Sequence, residues 1–455
     1  MNGMKARFRA CTGRLGVWAA LFAATVLLVY TPSRAAPPPT EAIDTSASCT
    51  ASCHLEFGKK PHIHKAARTG TSCKNCHKPA EANKHAFKPL PANRSELCMD
   101  CHDEMEAKQK HLHKPFKAGN CTKCHDPHQS DEPKLLRKSP QKLCLGCHDD
   151  QEPSKKHLHK PFKAGNCIKC HDPHQSDQAK QLKKPVPQLC MGCHEADEFK
   201  GKVVHGPVAE GKCLECHHPH QTDTPRLLNK TTPELCFGCH AAGLKDAQGQ
   251  SLPATKKLFD DKSMLHHRPF AEGKCDKCHQ PHVSTSRRLL AKAYPADFYA
   301  SYAADTYGLC FTCHASKAMD EPRTLTDTRF RNGNLNLHHR HVNRDKGRAC
   351  GACHDPHGSP QARLVNQSFQ FGNKLLALKY DKTPTGGSCA TACHGPIKYD
   401  RCNPEEITLK TTPRQGGDAS AEALKLACDK ELAEAKEKEK PVELEKGKEK
   451  PAEKK

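Results

Sequence analysis

The sequence predicts an elongated repeat array, mostly irregular with short α-helices and little or no β-sheet, whose interior is not built from apolar side chains. Three observations carry that expectation. Leu, Val, Ile and Phe make up only about 15% of the 455 residues, below the roughly one-fifth at which a highly charged chain is expected to be disordered. Cysteine and histidine are abundant, at 29 and 32 residues. The first cysteines of successive CxxC pairs stand at 98, 121, 144, 167, 190, 213 and 236, a constant step of 23.

Residues 1–35 read as a secretory signal. Lys5, Arg7, Arg9 and Arg14 form its basic region, Leu15 to Tyr30 its apolar region, and Ser33-Arg34-Ala35 its cleavage pattern. An apolar run of about 16 residues is short for a membrane span, so cleavage after Ala35 is expected over retention as an anchor, and no integral span remains in the mature chain. Residues 36–48 are expected to be a disordered leader, 49–240 the regular array, 241–402 a looser continuation with inserts, and 403–455 a Lys/Glu-rich tail. Within the tail a short amphipathic helix fits near Ser420 to Lys436. Cys402 and Cys428 flank its first half, either as a disulfide or as free thiols. SFQFGNKLLALKY at 368–380 reads as a small hairpin around Gly372-Asn373.

The array owes its chemistry to thirteen cysteine pairs, each followed directly by a histidine. The N-terminal copies are CTASCH (Cys49, Cys53, His54), CKNCH (Cys73, Cys76, His77), CMDCH (Cys98, Cys101, His102) and CTKCH (Cys121, Cys124, His125). CLGCH (Cys144, Cys147, His148), CIKCH (Cys167, Cys170, His171), CMGCH (Cys190, Cys193, His194), CLECH (Cys213, Cys216, His217) and CFGCH (Cys236, Cys239, His240) continue the regular step. CDKCH (Cys275, Cys278, His279), CFTCH (Cys310, Cys313, His314), CGACH (Cys350, Cys353, His354) and CATACH (Cys389, Cys393, His394) complete the set.

On one helical turn, positions i, i+3 and i+4 share a face. Two thiols so placed can form thioethers with the two vinyl groups of a porphyrin, and the next residue, histidine, then stands over the iron as proximal ligand. In the stretched copies the cysteines are at i and i+4, still on that face. Zinc ribbons, redox dithiols and structural disulfides also use paired cysteines, but none requires a histidine directly after the second. About thirteen covalently attached haems c are therefore expected, and stacked porphyrins become the missing core.

Alternate copies match better than neighbours, which makes the true unit 46 residues and two motifs: HLHKPFKAGNCTKCHDPHQSD at 111–131 returns as HLHKPFKAGNCIKCHDPHQSD at 157–177. Each unit supplies two further histidines, the stoichiometry of bis-histidine ligation. Eight residues before a first cysteine stand His113, His159, His205 and His267; three residues after a proximal histidine stand His128, His174, His220, His282 and His357. His64 and His85 near the N-terminus and His341 near the C-terminus bring the candidates to twelve, and His62 is the first choice for the thirteenth. Three residues extend about 10 Å at most, too little to round a porphyrin edge, so the histidines of the CHxPH segments are expected to ligate a neighbouring haem. His111, His157, His218, His266, His338 and His339 read as propionate partners or solvated side chains.

These paired motifs resemble the doubled-CxxCH family of multihaem cytochromes c, over roughly residues 49–394. The resemblance extends to periplasmic and outer-surface electron-transfer cytochromes of metal-respiring bacteria. It implies close-packed haem wires with little secondary structure; the two CxxxCH copies depart from the family's spacing.

The formal net charge is +21, of which residues 1–35 contribute five, leaving +16. Nucleic acid is the usual inference from such a balance. It is rejected here, because haem propionates supply the matching negative charge. The expected function is electron transfer without catalysis, between periplasmic or membrane donors and an outer-membrane or extracellular acceptor, from a location most simply in the periplasm. Crossing the outer membrane would require a separate porin. The enzymatic alternative, a multihaem nitrite reductase or hydroxylamine oxidase, needs one haem with an open coordination site, and the nineteen non-motif histidines show no shortage of ligands.

Overall fold

The computed structural model describes residue 44 and residues 46–246, 249, 251–406 and 419–439. The expected signal, most of the leader and the tail on either side of 419–439 lie outside these residues. The chain divides into two compact units, Met1–Ala92 with Pro127–Ser130, and Asn93–Asp126 with Asp131–Lys455. Short helices, small antiparallel sheets and irregular segments make up both, and no described helix is long and apolar enough to cross a membrane.

Local sequence explains why the helices are short. Proline stands in the first turn of Pro140–Leu145, Val186–Cys190 and Thr232–His240, where its missing N–H costs nothing. Thr232–His240 also has a capping box between Thr231 and Glu234. The intervening motifs sit on single turns, such as Cys121–Lys123 and Cys167–Lys169, each preceded by a four-residue helix ending near a left-handed glycine. Gly165 has φ +67, and a Cβ there would come 2.7 Å from the Gln141 side chain; its counterpart Gly119 has φ +66.

Two-residue strands interlock the repeats. In the larger unit His111–Leu112 pairs antiparallel with Gln175–Ser176, His157–Leu158 with Gln221–Thr222, Val203–Val204 with Val283–Ser284, and Leu265–His266 with Gly358–Ser359. The smaller unit repeats the arrangement with His62–Ile63 against Gln129–Ser130. A glutamine side chain reinforces three of these joints: Gln175 Oε1 accepts from the Lys108 amide at 2.9 Å while its Nε2 donates to the Glu106 carbonyl at 2.9 Å, and Gln129 and Gln221 do the same in their copies.

No described hydrophobic residue before Phe270 is buried. Side-chain clusters appear only later, around Tyr307, Val342 and Ala349, and around Val365, Phe369 and Leu378. The expected hairpin is present as Ser368–Phe371 with Lys374–Lys382, turning at Gly372 (φ +57). It continues through Gly386–Thr391 and His394–Asp400 into a four-stranded antiparallel meander, more sheet than the sequence suggests. The stretched motif at 389 lies on the last hairpin of that meander, not on a helical turn: the alternating Ile397 and Tyr399 favour extended pairing, and Gly386 permits a close approach in which a Cβ would clash with the Tyr399 carbonyl.

Helix Ala421–Glu439, close to the expected 420–436, closes this end of the larger unit. Cys402 and Cys428 form a disulfide, with Cα atoms 5.6 Å apart. Glu431 bridges Arg331 Nη2 at 2.6 Å and Arg401 Nε at 2.8 Å, and the Arg331 side chain is 0% exposed. Removing one partner of a buried ion pair costs about 3–5 kcal/mol. Glu431→Ala is therefore expected to lower the denaturant midpoint at which amides of residues 421–434 lose hydrogen-exchange protection, and to leave exchange within 111–240 unchanged.

Candidate functional site

Each CxxCH segment closes into one turn. The histidine amide donates to the first cysteine carbonyl at 2.8 Å in His77, at 3.0 Å in His102, His125, His148, His171, His194, His217, His279 and His314, and at 2.9 Å in His354. That bond puts both sulfurs and the imidazole on one side of the turn, as attachment to one porphyrin edge requires. All twenty-six motif cysteines are outside disulfides.

Opposite ten of the thirteen proximal imidazoles stand second imidazoles. In the smaller unit His54 faces His85 at 6.0 Å between ring centroids, and His77 faces His128 at 6.1 Å. In the larger unit the CHxPH histidines face proximal histidines one 46-residue unit or more upstream: His174 faces His125 at 6.0 Å, His220 faces His171 at 5.9 Å, His282 faces His217 at 5.8 Å, and His357 faces His279 at 6.3 Å. The histidines eight residues before a first cysteine face proximal residues downstream. His113 meets His148 at 6.1 Å, His159 meets His194 at 6.3 Å, His205 meets His240 at 6.3 Å, and His267 meets His314 at 6.0 Å. No CHxPH histidine faces the proximal histidine of its own motif.

The spacing has a chemical meaning. Two metal–nitrogen bonds of about 2 Å each, plus about 1.1 Å from each nitrogen to its ring centre, separate two axial imidazoles by roughly 6.2 Å. Hydrogen bonds set the tautomers. A carbonyl only accepts, so the Nδ1 atoms of His113, His159 and His205 donate to Pro173, Pro219 and Pro281 at 2.8–2.9 Å. Likewise Nδ1 of His125, His171, His217, His279 and His354 donates to the carbonyl nine residues on, at 2.9–3.0 Å. In each of these rings Nε2 keeps its lone pair for a metal. The donor set, two imidazoles with a thiol pair beside one of them, fits haem c.

A family model described as a doubled CXXCH motif matches residues 64–107, 113–153, 159–199, 205–245, 267–319 and 339–375, more than half of the chain. The chain belongs to the doubled-CXXCH family. It is a multihaem c-type cytochrome with covalently bound haem c. No curated protein matches it. All six matched segments begin on a histidine, and His64, His113, His159, His205 and His267 are among the second-ligand candidates of the sequence.

At the C-terminal end of the cytochrome the pattern changes. His338 is desolvated, which pushes its pKa down to about 4, with His354 and His341 adding to the effect. Its Nδ1 bonds Thr328 Oγ1 at 2.7 Å. His341, also lowered to about 4 by burial, feels His394, and its Nδ1 donates to the Leu337 carbonyl at 2.7 Å. Both histidines lie on the helix Leu337–Val342, with their rings against Phe330 at 5.1 and 5.8 Å between centroids. His62, the thirteenth candidate of the sequence, lies in the strand His62–Ile63; both proximal histidines of its unit are already faced by His85 and His128. His338, which the sequence offers as a propionate partner or solvated side chain, is thus a second-ligand candidate beside His62. The only signal for it was its neighbour His341 on the same short helix, since neither residue follows the repeat spacing.

Sulfurs of neighbouring motifs also approach in alternation. First-cysteine thiols come within hydrogen-bonding reach in Cys49 with Cys73, Cys144 with Cys167, Cys190 with Cys213, Cys236 with Cys275 and Cys310 with Cys350. Second-cysteine thiols interact electrostatically in Cys124 with Cys147, Cys170 with Cys193 and Cys216 with Cys239. From 121 to 350 in the larger unit consecutive motifs are therefore spatial neighbours, joined alternately at one edge and the other, and in the smaller unit the motifs at 49 and 73 meet in the same way.

Proposed function

We propose that this cytochrome is an electron-transfer wire of about thirteen bis-histidine haems, ordered in space as in sequence. It carries electrons from a periplasmic or membrane donor to an outer-membrane or extracellular acceptor, without catalysing a reaction of its own. The observation that carries the reading is the second imidazole held about 6 Å from the proximal one. An iron with both axial positions filled by histidine has no face left for substrate, and filled coordination favours transfer over activation. The distal set is His64, His85, His113, His128, His159, His174, His205, His220, His267, His282, His341, His357 and His338. The alternating sulfur contacts support the order, since each porphyrin edge is tied to its cysteine pair. Export and a separate porin for any passage through the outer membrane belong to the same proposal.

The intact mass of the secreted protein is expected to exceed that of the polypeptide by thirteen haems. The ferric protein is expected to be entirely low-spin. His338→Ala is expected to convert one haem to a high-spin form that binds added imidazole, whereas His62→Ala leaves the spectrum unchanged; the reverse outcome would reassign the ligand. A high-spin fraction in the wild-type protein that shifts with nitrite or hydroxylamine would mark a catalyst.

A further inference from the structure

Among the described residues, ten of the eleven non-glycine positions with positive φ occur as five consecutive pairs: Lys134-Leu135, Lys180-Gln181, Arg226-Leu227, Arg288-Leu289 and Arg363-Leu364, with φ between 54 and 61. A residue with a side chain pays roughly 1–2 kcal/mol to enter the left-handed region, and glycine enters it freely. The first member of each pair is the residue whose carbonyl orients a proximal histidine, from His125 to His354. A carbonyl needs no side chain. Yet the position is Lys or Arg in all five copies, while the residue before it varies among Pro, Ala and Arg.

The side chain therefore has its own task, and its surroundings indicate which. Lys134, Lys180, Arg288 and Arg363 are exposed and make no ion pair with a described carboxylate. Arg226 does, with Asp276 at 2.8 Å, which shows that a side chain leaving this turn can reach a carboxylate. An open recess of about 360 Å³ beside Lys180 and Gln181 is lined by Lys110, His111, Leu112 and Lys117, with no acidic side chain. Lys134, Lys180, Arg288 and Arg363 each leave the turn whose own carbonyl binds a proximal imidazole, so each charge is carried at that haem site.

We infer that Lys134, Lys180, Arg288 and Arg363 bind haem propionates, so that each strained turn orients the proximal imidazole through its backbone and neutralises the porphyrin carboxylate through its side chain. The inference rests on haem at the motifs of His125, His171, His279 and His354. A cation at the propionate opposes the added charge of ferric iron and favours the ferrous state.

The test is a potentiometric titration of the haem-loaded protein followed by its visible spectrum, comparing wild type with the quadruple variant Lys134→Met, Lys180→Met, Arg288→Met and Arg363→Met. Four haems are expected to move to lower potential, with the ferrous/ferric ratio at fixed potential falling about three- to tenfold for each, tenfold being about 59 mV for one electron. Lys180→Gly, which relieves the turn, is expected to retain full haem mass and an unfolding midpoint at or above wild type while lowering one potential; Lys180→Arg is expected to keep the wild-type curve. Unshifted titrations in the Met and Gly variants at full haem mass would overturn the inference and leave the wire intact. A wild-type mass short of haem at these four motifs would instead refute the reading beneath it.

Discussion

Two imidazoles held about 6 Å apart, one of them aimed by a backbone carbonyl in eight of ten facing pairs, are the constraint from which the rest of this fold follows. No polypeptide group closes that gap. Ordinary aromatic pairs gain by packing their surfaces together, whereas here one ring of a pair is fixed from behind at Nδ1, His113 by the Pro173 carbonyl opposite His148 and His125 by the αL turn at Lys134 opposite His174. The space is shaped for a metal and the plane around it. With no buried hydrophobic residue before Phe270 among the described residues, the chain there has little else to hold it together, so haem attachment and folding are one problem.

The repeats are interlocked through the same residues. The amide of His113 donates to the carbonyl of His174 at 2.9 Å, His159 to His220 at 2.9 Å, His205 to His282 at 3.0 Å, and His267 to His357 at 3.1 Å. Each bond joins two second imidazoles that face proximal histidines of consecutive motifs. His174 faces His125 and His113 faces His148, for example. The two-residue strands that carry these bonds are too short to be stable by themselves. They serve as register marks, fixing which repeat lends its histidine to which. Repeat proteins of this kind gain stability from neighbour contacts more than from any single unit.

Much of this was legible because it is local. The CxxCH turn, the 23- and 46-residue periods and the positions eight before and three after a motif are all read from adjacent residues, and three residues cannot round a porphyrin. What was not legible depends on contacts far along the chain. That His113 faces His148 while His174 faces His125 follows from strand pairing across 60 residues or more. His338 reads as a propionate partner or solvated side chain in the sequence, and its desolvation on the helix Leu337–Val342 is what makes it a ligand candidate. The motif at 389 was read as helical from its spacing, but its neighbours belong to a meander whose register is set by Tyr380 and Tyr399, whose hydroxyls meet at 3.0 Å. The left-handed turns carry no glycine to announce them, since side-chain chemistry overrides conformational preference there.

Locating the irons by anomalous scattering in crystals of the haem-loaded protein addresses the central claim most directly. An iron is expected midway between the rings of His125 and His174, another between His148 and His113, and so on along the array. Irons flanked instead by the two histidines of a single CHxPH segment, or by one histidine and an open face throughout, would contradict the account.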